Sequence, residues 1–190
     1  MNNINNLLKN FVNDDNQINL QRPYRVMDVA NYIVDRLSDQ GKPVTNLLLL
    51  KMLYYLQAYY LVTDKKPLFT GKIEKWGYGP VEPIVYSYFK ENGASPIMHS
   101  VSYVIKSNKK LELIDPLNRN LQEKDQLQIN KIVNKLQDEY NQKPFELVKL
   151  THKEPMWQED KKRIEDGVHN IEYNDQEIIE YFSNGDKWPW

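Results

Sequence analysis

The stretch from Asn46 to Val62 limits the fold more than any other part of the chain. Leu47, Leu50, Leu53, Tyr54, Ala58 and Leu61 recur at helical spacing, and Leu48, Leu49, Met52 and Leu56 make the opposite side apolar too. A helix that is apolar all round has no face to give to water, so it belongs inside the protein. Thr45 reads as its N-cap, because a threonine hydroxyl accepts from the free N–H groups of a first turn. Tyr54, Tyr55, Tyr59 and Tyr60 read first as core and rim packing. No apolar run reaches the roughly 20 residues needed to cross a bilayer.

The remaining segments supply the enclosure. A helix is expected from Tyr24 to about Asp39, with Val26, Val29, Ala30, Ile33 and Leu37 on one face, Gly41 as cap and Pro43 barring continuation. Residues 64–80 hold Pro67, Phe69, Gly71, Trp76, Gly77, Gly79 and Pro80, a composition that predicts an irregular stretch in which Leu68, Ile73 and Trp76 suit a short extended connection. Pro83 suits the first turn of a helix over Glu82 to about Asn92. Val101–Ile105 and Leu111–Ile114 are β-rich and flank a polar turn, Ser107-Asn108-Lys109, which reads as a hairpin. The longest helix is expected over Gln122–Tyr140, with Leu127, Ile129, Ile132, Val133, Leu136 and Tyr140 on the buried side. Short helices are expected from Pro144 and over Lys161–Asp166. Another follows Asn174, where Glu177 three residues on resembles a capping box and Gly185 marks the end.

The expected architecture is a mainly α, single-domain helical bundle with a small β-hairpin (α+β). A polar extension over residues 1–21 carries Leu7, Leu8, Phe11 and Val12, enough for one short amphipathic turn. The helical domain spans 22–183, and an aromatic tail spans 184–190. The 190 residues include no cysteine, which removes thiol nucleophiles, disulfides and zinc-thiolate sites. Balanced charge, 25 Lys+Arg against 26 Asp+Glu, gives no basic excess for neutralising phosphates, so nucleic acid is not the expected partner. Lys106, Lys109 and Lys110, and later Lys161, Lys162 and Arg163, read as solvated faces. The polar N-terminal stretch lacks the basic and apolar regions of a signal peptide, so a cytoplasmic location and no membrane partner are expected.

Enzymatic signals are weak. Trp76-Gly77-Tyr78-Gly79-Pro80 superficially suggests a phosphate loop, but no Lys-Ser/Thr pair follows and Pro83 offers no N–H to an anion. A tight turn is the better reading. His99, His152 and His169 have no second histidine at helical spacing, so neither a metal nor a cofactor is expected. His152 and Glu154 form an H-x-E arrangement that could serve acid–base chemistry in an extended segment. A histidine that fixes its loop by hydrogen bonding is the favoured reading. The aromatic, proline-containing loops around Trp76, Trp157 and Trp188 suit either internal lids or protein–protein contact.

Several blocks then occur in order: Val29-Ala30-Asn31-Tyr32-Ile33; Leu50-Lys51-Met52-Leu53-Tyr54-Tyr55 with Gln57-Ala58; Trp76-Gly77-Tyr78-Gly79-Pro80-Val81; Tyr86; and Leu150-Thr151-His152-Lys153-Glu154 with Trp157. Together they closely resemble the Panacea domain of the SocA-like antitoxins, also labelled phage-associated GepA-like proteins. The resemblance covers most of the chain, from near Tyr24 to Trp157. Family members often carry a proline directly before the tryptophan, whereas Pro155-Met156 precedes Trp157 here. The resemblance implies a non-enzymatic antitoxin of a bacterial or prophage toxin–antitoxin pair, which binds a co-encoded toxin. An adaptor role, delivering the toxin to a Clp-type protease, is the variant it also implies. A His/Glu-dependent hydrolase of prophage origin is the remaining alternative. The expected toxin-contact residues are Tyr54, Gln57, Trp76, Tyr78, Gly79, Pro80, His152, Glu154 and Trp157, with the Tyr54–Tyr60 helix edge presented beside Trp76 and Tyr78. Trp76 and Trp157 could instead pack together and brace their two loops.

Overall fold

The structure, a computed structural model, describes residues 22–107, 110–117 and 119–190. The expected turn at Leu7–Val12 lies outside these residues, as does the tip of the later hairpin. Strand β1 (Tyr24–Arg25) leads into helix α1 (Val26–Asp39), whose Val29, Ala30, Ile33, Val34 and Leu37 are buried completely. Gly41 closes that helix at φ +69°, with its N–H on the Ser38 carbonyl and the Lys42 N–H on Leu37. The left-handed conformation is why glycine stands there.

Strand β2 (Val44–Thr45) precedes helix α2 (Asn46–Asp64), and the Thr45 hydroxyl accepts from the Leu48 N–H as the cap pattern predicts. Every residue from Leu48 to Ala58 is buried. The two-sided apolar pattern therefore has the consequence expected of it: α2 is the axis around which the other elements pack.

The connection after α2 is more ordered than its composition predicts. Strand β3 (Phe69–Thr70) pairs in parallel with β1, and β4 (Glu74–Trp76) forms an antiparallel hairpin with β5 (Gly79–Val81). Gln57 organises the start of this region. Its side-chain oxygen accepts from the Leu68 and Phe69 N–H groups at 3.0 and 3.2 Å, and its amide donates to the Phe69 carbonyl. Helix α3 (Pro83–Phe89) follows, capped by Glu82, whose carboxylate accepts from the Val85 N–H at 2.7 Å. A single 3₁₀ turn, Lys90–Asn92, extends it.

Strand β6 (Pro96–Ile97) pairs with β2, and β7 (Tyr103–Ser107) pairs with β8 (Lys110–Ile114). The expected hairpin is present, but its first strand starts two residues late. The Asn31 side chain brackets Val101, accepting from its N–H and donating to its carbonyl, and so removes it from the ladder. Helix α4 (Glu123–Tyr140) buries Ile129, Ile132, Val133 and Leu136. Leu127, expected on that side, is 65% exposed; Asp125 takes the inward position instead and accepts from the Tyr24 and Tyr60 hydroxyls.

Three short helices, α5 (Pro144–Thr151), α6 (Pro155–Gln158) and α7 (Lys161–Glu165), precede α8 (Asp175–Ser183). The Asn174 side chain accepts from the Gln176 and Glu177 N–H groups. Asn174→Ala is expected to cost about 1 kcal/mol, read as a shift in the urea midpoint at unchanged slope. Trp188 stacks on Phe182 at 4.6 Å and Trp190 on Trp188 at 5.1 Å, while the Tyr140 hydroxyl donates to the Pro189 carbonyl at 2.6 Å. This aromatic tail closes over Tyr55 and Tyr59 on α2. The protein is mainly α with small strand pairs, and among the described residues no helix is long and apolar enough to cross a membrane.

Candidate functional site

The β4–β5 hairpin joins the sequence blocks. Trp76 faces Gly79 in its register, leaving Gly77 and Tyr78 as a two-residue turn, the tight turn the glycines suggested. Gly79 lies at φ +88° and rests directly on two neighbours. A Cβ built there would stand 2.4 Å from Thr151 Oγ1 and 2.8 Å from Lys51 Nζ. Only glycine permits this approach between the hairpin, α2 and α5.

Lys51, in the second turn of α2, has no exposed surface. Its ammonium donates to the Tyr78 carbonyl and, at 3.1 Å, to the Pro80 carbonyl. Both carbonyls belong to the hairpin, so one buried cation ties the turn to the central helix. Burial pushes the Lys51 pKa down to about 7, and the nearby Glu154 carboxylate opposes that shift. Glu154 is also buried and accepts from the Tyr54 hydroxyl at 2.5 Å. Burial raises its pKa to about 8, against the pull of the Tyr54 hydrogen bond and the Lys51 charge. Tyr54 and Tyr173 sit well above the usual phenol range, again through burial first and Glu154 next. A charged group without water favours its neutral form, which is the common cause of all four shifts.

Above this interior lies an aromatic rim. The Trp157 indole N–H donates to the Trp76 carbonyl at 3.1 Å, and His152 stacks on Trp157 at 3.8 Å and 15°. Burial and the Lys51 charge lower the His152 pKa. The Trp76 indole N–H donates to Glu74, and its ring meets Tyr86 edge-on at 5.0 Å. Tyr78 stands 65% exposed at the hairpin tip and meets Phe145, itself 55% exposed, edge-on at 5.9 Å. A groove of about 400 Å³ runs beside Gly77, His152 and Trp157.

The nine residues singled out in the sequence thus divide by depth. Tyr54, Gln57, Gly79, Pro80, Glu154 and Trp157 are buried, whereas Trp76 and His152 are half-buried and Tyr78 is exposed. The Tyr54–Tyr60 helix edge is not a presented surface. Tyr54, Tyr55 and Tyr60 are enclosed, and Tyr59 is half-buried against Trp188. Buried hydroxyls explain this: Tyr54 finds Glu154 and Tyr60 finds Asp125, so both rings can enter the core with their polar ends satisfied. Trp76 and Trp157 do brace one another, through indole to carbonyl rather than ring on ring. The His152–Glu154 pair is not assembled, since Glu154 turns inward to Tyr54 while His152 lies on Trp157. Among the described residues no group of three or more His, Asp or Glu side chains could hold a metal ion. Lys51 and Thr151 carried no expectation. The signal for Lys51 was its place as the lone charge between Asn46 and Val62, in a helix apolar on every side.

Fold and site define a helical scaffold whose aromatic hairpin is fixed from beneath by buried polar groups. The chain matches the family of SocA-like antitoxins, Panacea domain, over residues 49–158, more than half its length, and it belongs to that family. One relative, the Antitoxin SocA of Caulobacter vibrioides (strain NA1000 / CB15N), is 39% identical over 71 residues. That alignment covers 37% of this chain and 38% of the relative, so the chain spans well under half of the relative's length. No solved structure matches.

Proposed function

We propose that this protein is the antitoxin of a toxin–antitoxin pair and neutralises a co-encoded toxin by direct, non-catalytic binding. Membership of the SocA-like family carries the antitoxin reading. The observation that supports binding at the hairpin is the exposure of Tyr78 and Phe145 beside Trp76 and Tyr86, on a turn that has no freedom to collapse. Exposed aromatics on a preorganised support lose little conformational entropy on association and serve as interface anchors. A stable complex buries about 1,600 Å² in total, so the hairpin would be the centre of a larger contact. Gln57, Gly79, Pro80, Glu154, Tyr54 and Trp157 then shape the surface from behind, while Trp76, Tyr78 and His152 meet the partner.

Co-expression with the neighbouring open reading frame tests this. Growth inhibition by that gene product should disappear when this protein is made, and the two should co-purify. Rescue that persists in a host without Clp-type proteases supports masking. Rescue that vanishes there would assign delivery for degradation instead.

A further inference from the structure

We propose that Lys51 is the positioning residue of the hairpin: its ammonium, seated on the Tyr78 and Pro80 carbonyls beneath Gly79, sets where the exposed Tyr78 ring stands. The inference deepens the reading of the hairpin as a toxin-contact surface and rests on it for its biological meaning. The geometry itself is independent of any toxin.

An isolated two-stranded hairpin is marginally stable in water, so a short one needs support from the rest of the fold. Here the strands are only three residues each, Glu74–Trp76 and Gly79–Val81, and the turn projects from the fold. Strand β4 is held by residues 171–173 and by the Trp157 indole on the Trp76 carbonyl, and the turn exit is held from below. Lys51 reaches the carbonyls on either side of Gly79, which holds both peptide planes of the turn exit in one orientation. Thr151 occupies the other side of Gly79, so the tip cannot slide toward α5. The remaining buried groups fix the lysine in turn. Tyr54 holds Glu154 by a hydrogen bond, and the Glu154 carboxylate lies close enough to act on the Lys51 charge.

Hydrogen bonds from a charged donor are roughly twice as strong as those from a neutral one. The tether is therefore tighter when Lys51 is protonated. The titratable groups that act on it are Glu154 and His152 beside α5; Tyr54 and Tyr55 on α2, Tyr173 ahead of α8 and Tyr181 on α8 in turn face Glu154. The tyrosines stay neutral throughout the ordinary pH range. His152 contributes positive charge only in acid, where Lys51 is already protonated. Raising the pH thus removes the proton from Lys51, and the hold on the hairpin weakens as a neutral amine replaces the ammonium, while the Glu154 charge favours the ammonium and opposes that loss.

The test follows the hairpin in the full chain by NMR. In the wild type, the Lys51 side-chain carbon next to nitrogen should titrate near neutral pH, and the Tyr78 ring signals should shift with the same midpoint. In Lys51→Met, which keeps the length and the apolar stem, amide protection over residues 76–81 should fall at least tenfold more than in α4. A protein that merely lost global stability would lose protection in α4 and the hairpin alike, and that result overturns the proposal. Tyr78 signals that stay fixed while Lys51 titrates overturn it equally, and this reading needs no variant to fold. Toxin affinity provides the separation from the functional reading. Loosening of the hairpin with unchanged affinity for the neighbouring gene product upholds the tether and refutes the hairpin as the contact.

Discussion

Replacing Gly79 by alanine is expected to destabilise the protein by about 2–6 kcal/mol, a loss visible as a large drop in urea midpoint. Two costs combine. A left-handed φ of +88° strains any residue with a Cβ, by about 1–3 kcal/mol. The new methyl would also stand 2.4 Å from Thr151 Oγ1 and 2.8 Å from Lys51 Nζ. Overpacking of this kind costs about 1–3 kcal/mol more, because α2 and α5 must separate or Lys51 must leave its carbonyls. Gly77 is the internal control. Its Cβ would meet nothing within 4 Å, and its backbone lies outside the left-handed region. Gly77→Ala should stay within about 0.5 kcal/mol of the wild type. Equal effects at the two positions would mean that the hairpin is not seated on the helix as described.

Stability should also depend on pH through Glu154, and the sign is fixed by its environment. Its carboxyl is raised to about 8 in the folded protein, against 4.5 for the free group. Between those values the folded state keeps a proton that the unfolded chain has released. The contribution is fully present below the unfolded value and is lost as pH rises through 8, with a slope of up to about 1.4 kcal/mol per pH unit. Lys51 works the other way. Its pKa is lowered to about 7 from 10.5, so its contribution is present above 10.5 and is lost as pH falls through 7. The interior is therefore least favourable where the two windows overlap, at about pH 7–8. Glu154→Gln keeps the shape and an acceptor for the Tyr54 hydroxyl but cannot ionise. Denaturation midpoints from pH 5 to 9 should show the wild type declining toward pH 8 relative to this variant, which becomes the more stable of the two. Parallel curves would place Glu154 in water.

How much of this was readable in the sequence depends on the range of the interaction. The enclosure of α2 is a local pattern, apolar residues on both sides of one helix, and it survives unchanged in the structure. The caps at Thr45 and Asn174 are equally local, each made within three residues. The tight turn at Gly77-Tyr78 follows from glycine spacing. The tyrosines of α2 lie in the core and its rim, as first read, but what holds their hydroxyls was not readable. Tyr54 and Tyr60 look like an amphipathic edge until their partners are known, and those partners lie 100 and 65 residues away. Leu127 yields its expected buried place to Asp125 for the same reason: a buried aspartate is tolerable only because Tyr24 and Tyr60 reach it. Lys51 was hidden differently. Its acceptors are main-chain carbonyls, which every residue carries, so no side-chain pattern announces them. The convergence of the blocks at residues 50–55, 76–81 and 150–154 on one hairpin was the part of the site that spacing could not supply, although their residue types had marked it as aromatic and turn-rich.

The central claim is that the exposed tip of the β4–β5 hairpin is the surface that meets a toxin. Calorimetric titration of the Tyr78→Ala protein with the product of the neighbouring gene tests it most directly. Tyr78 is exposed and makes no side-chain hydrogen bond among those described, so the melting temperature should hold. Loss of a central aromatic anchor costs about 2 kcal/mol, close to thirtyfold in Kd. A thirtyfold weakening at an unchanged melting temperature is the predicted result. Affinity equal to the wild type, in a protein that melts normally, would contradict the account.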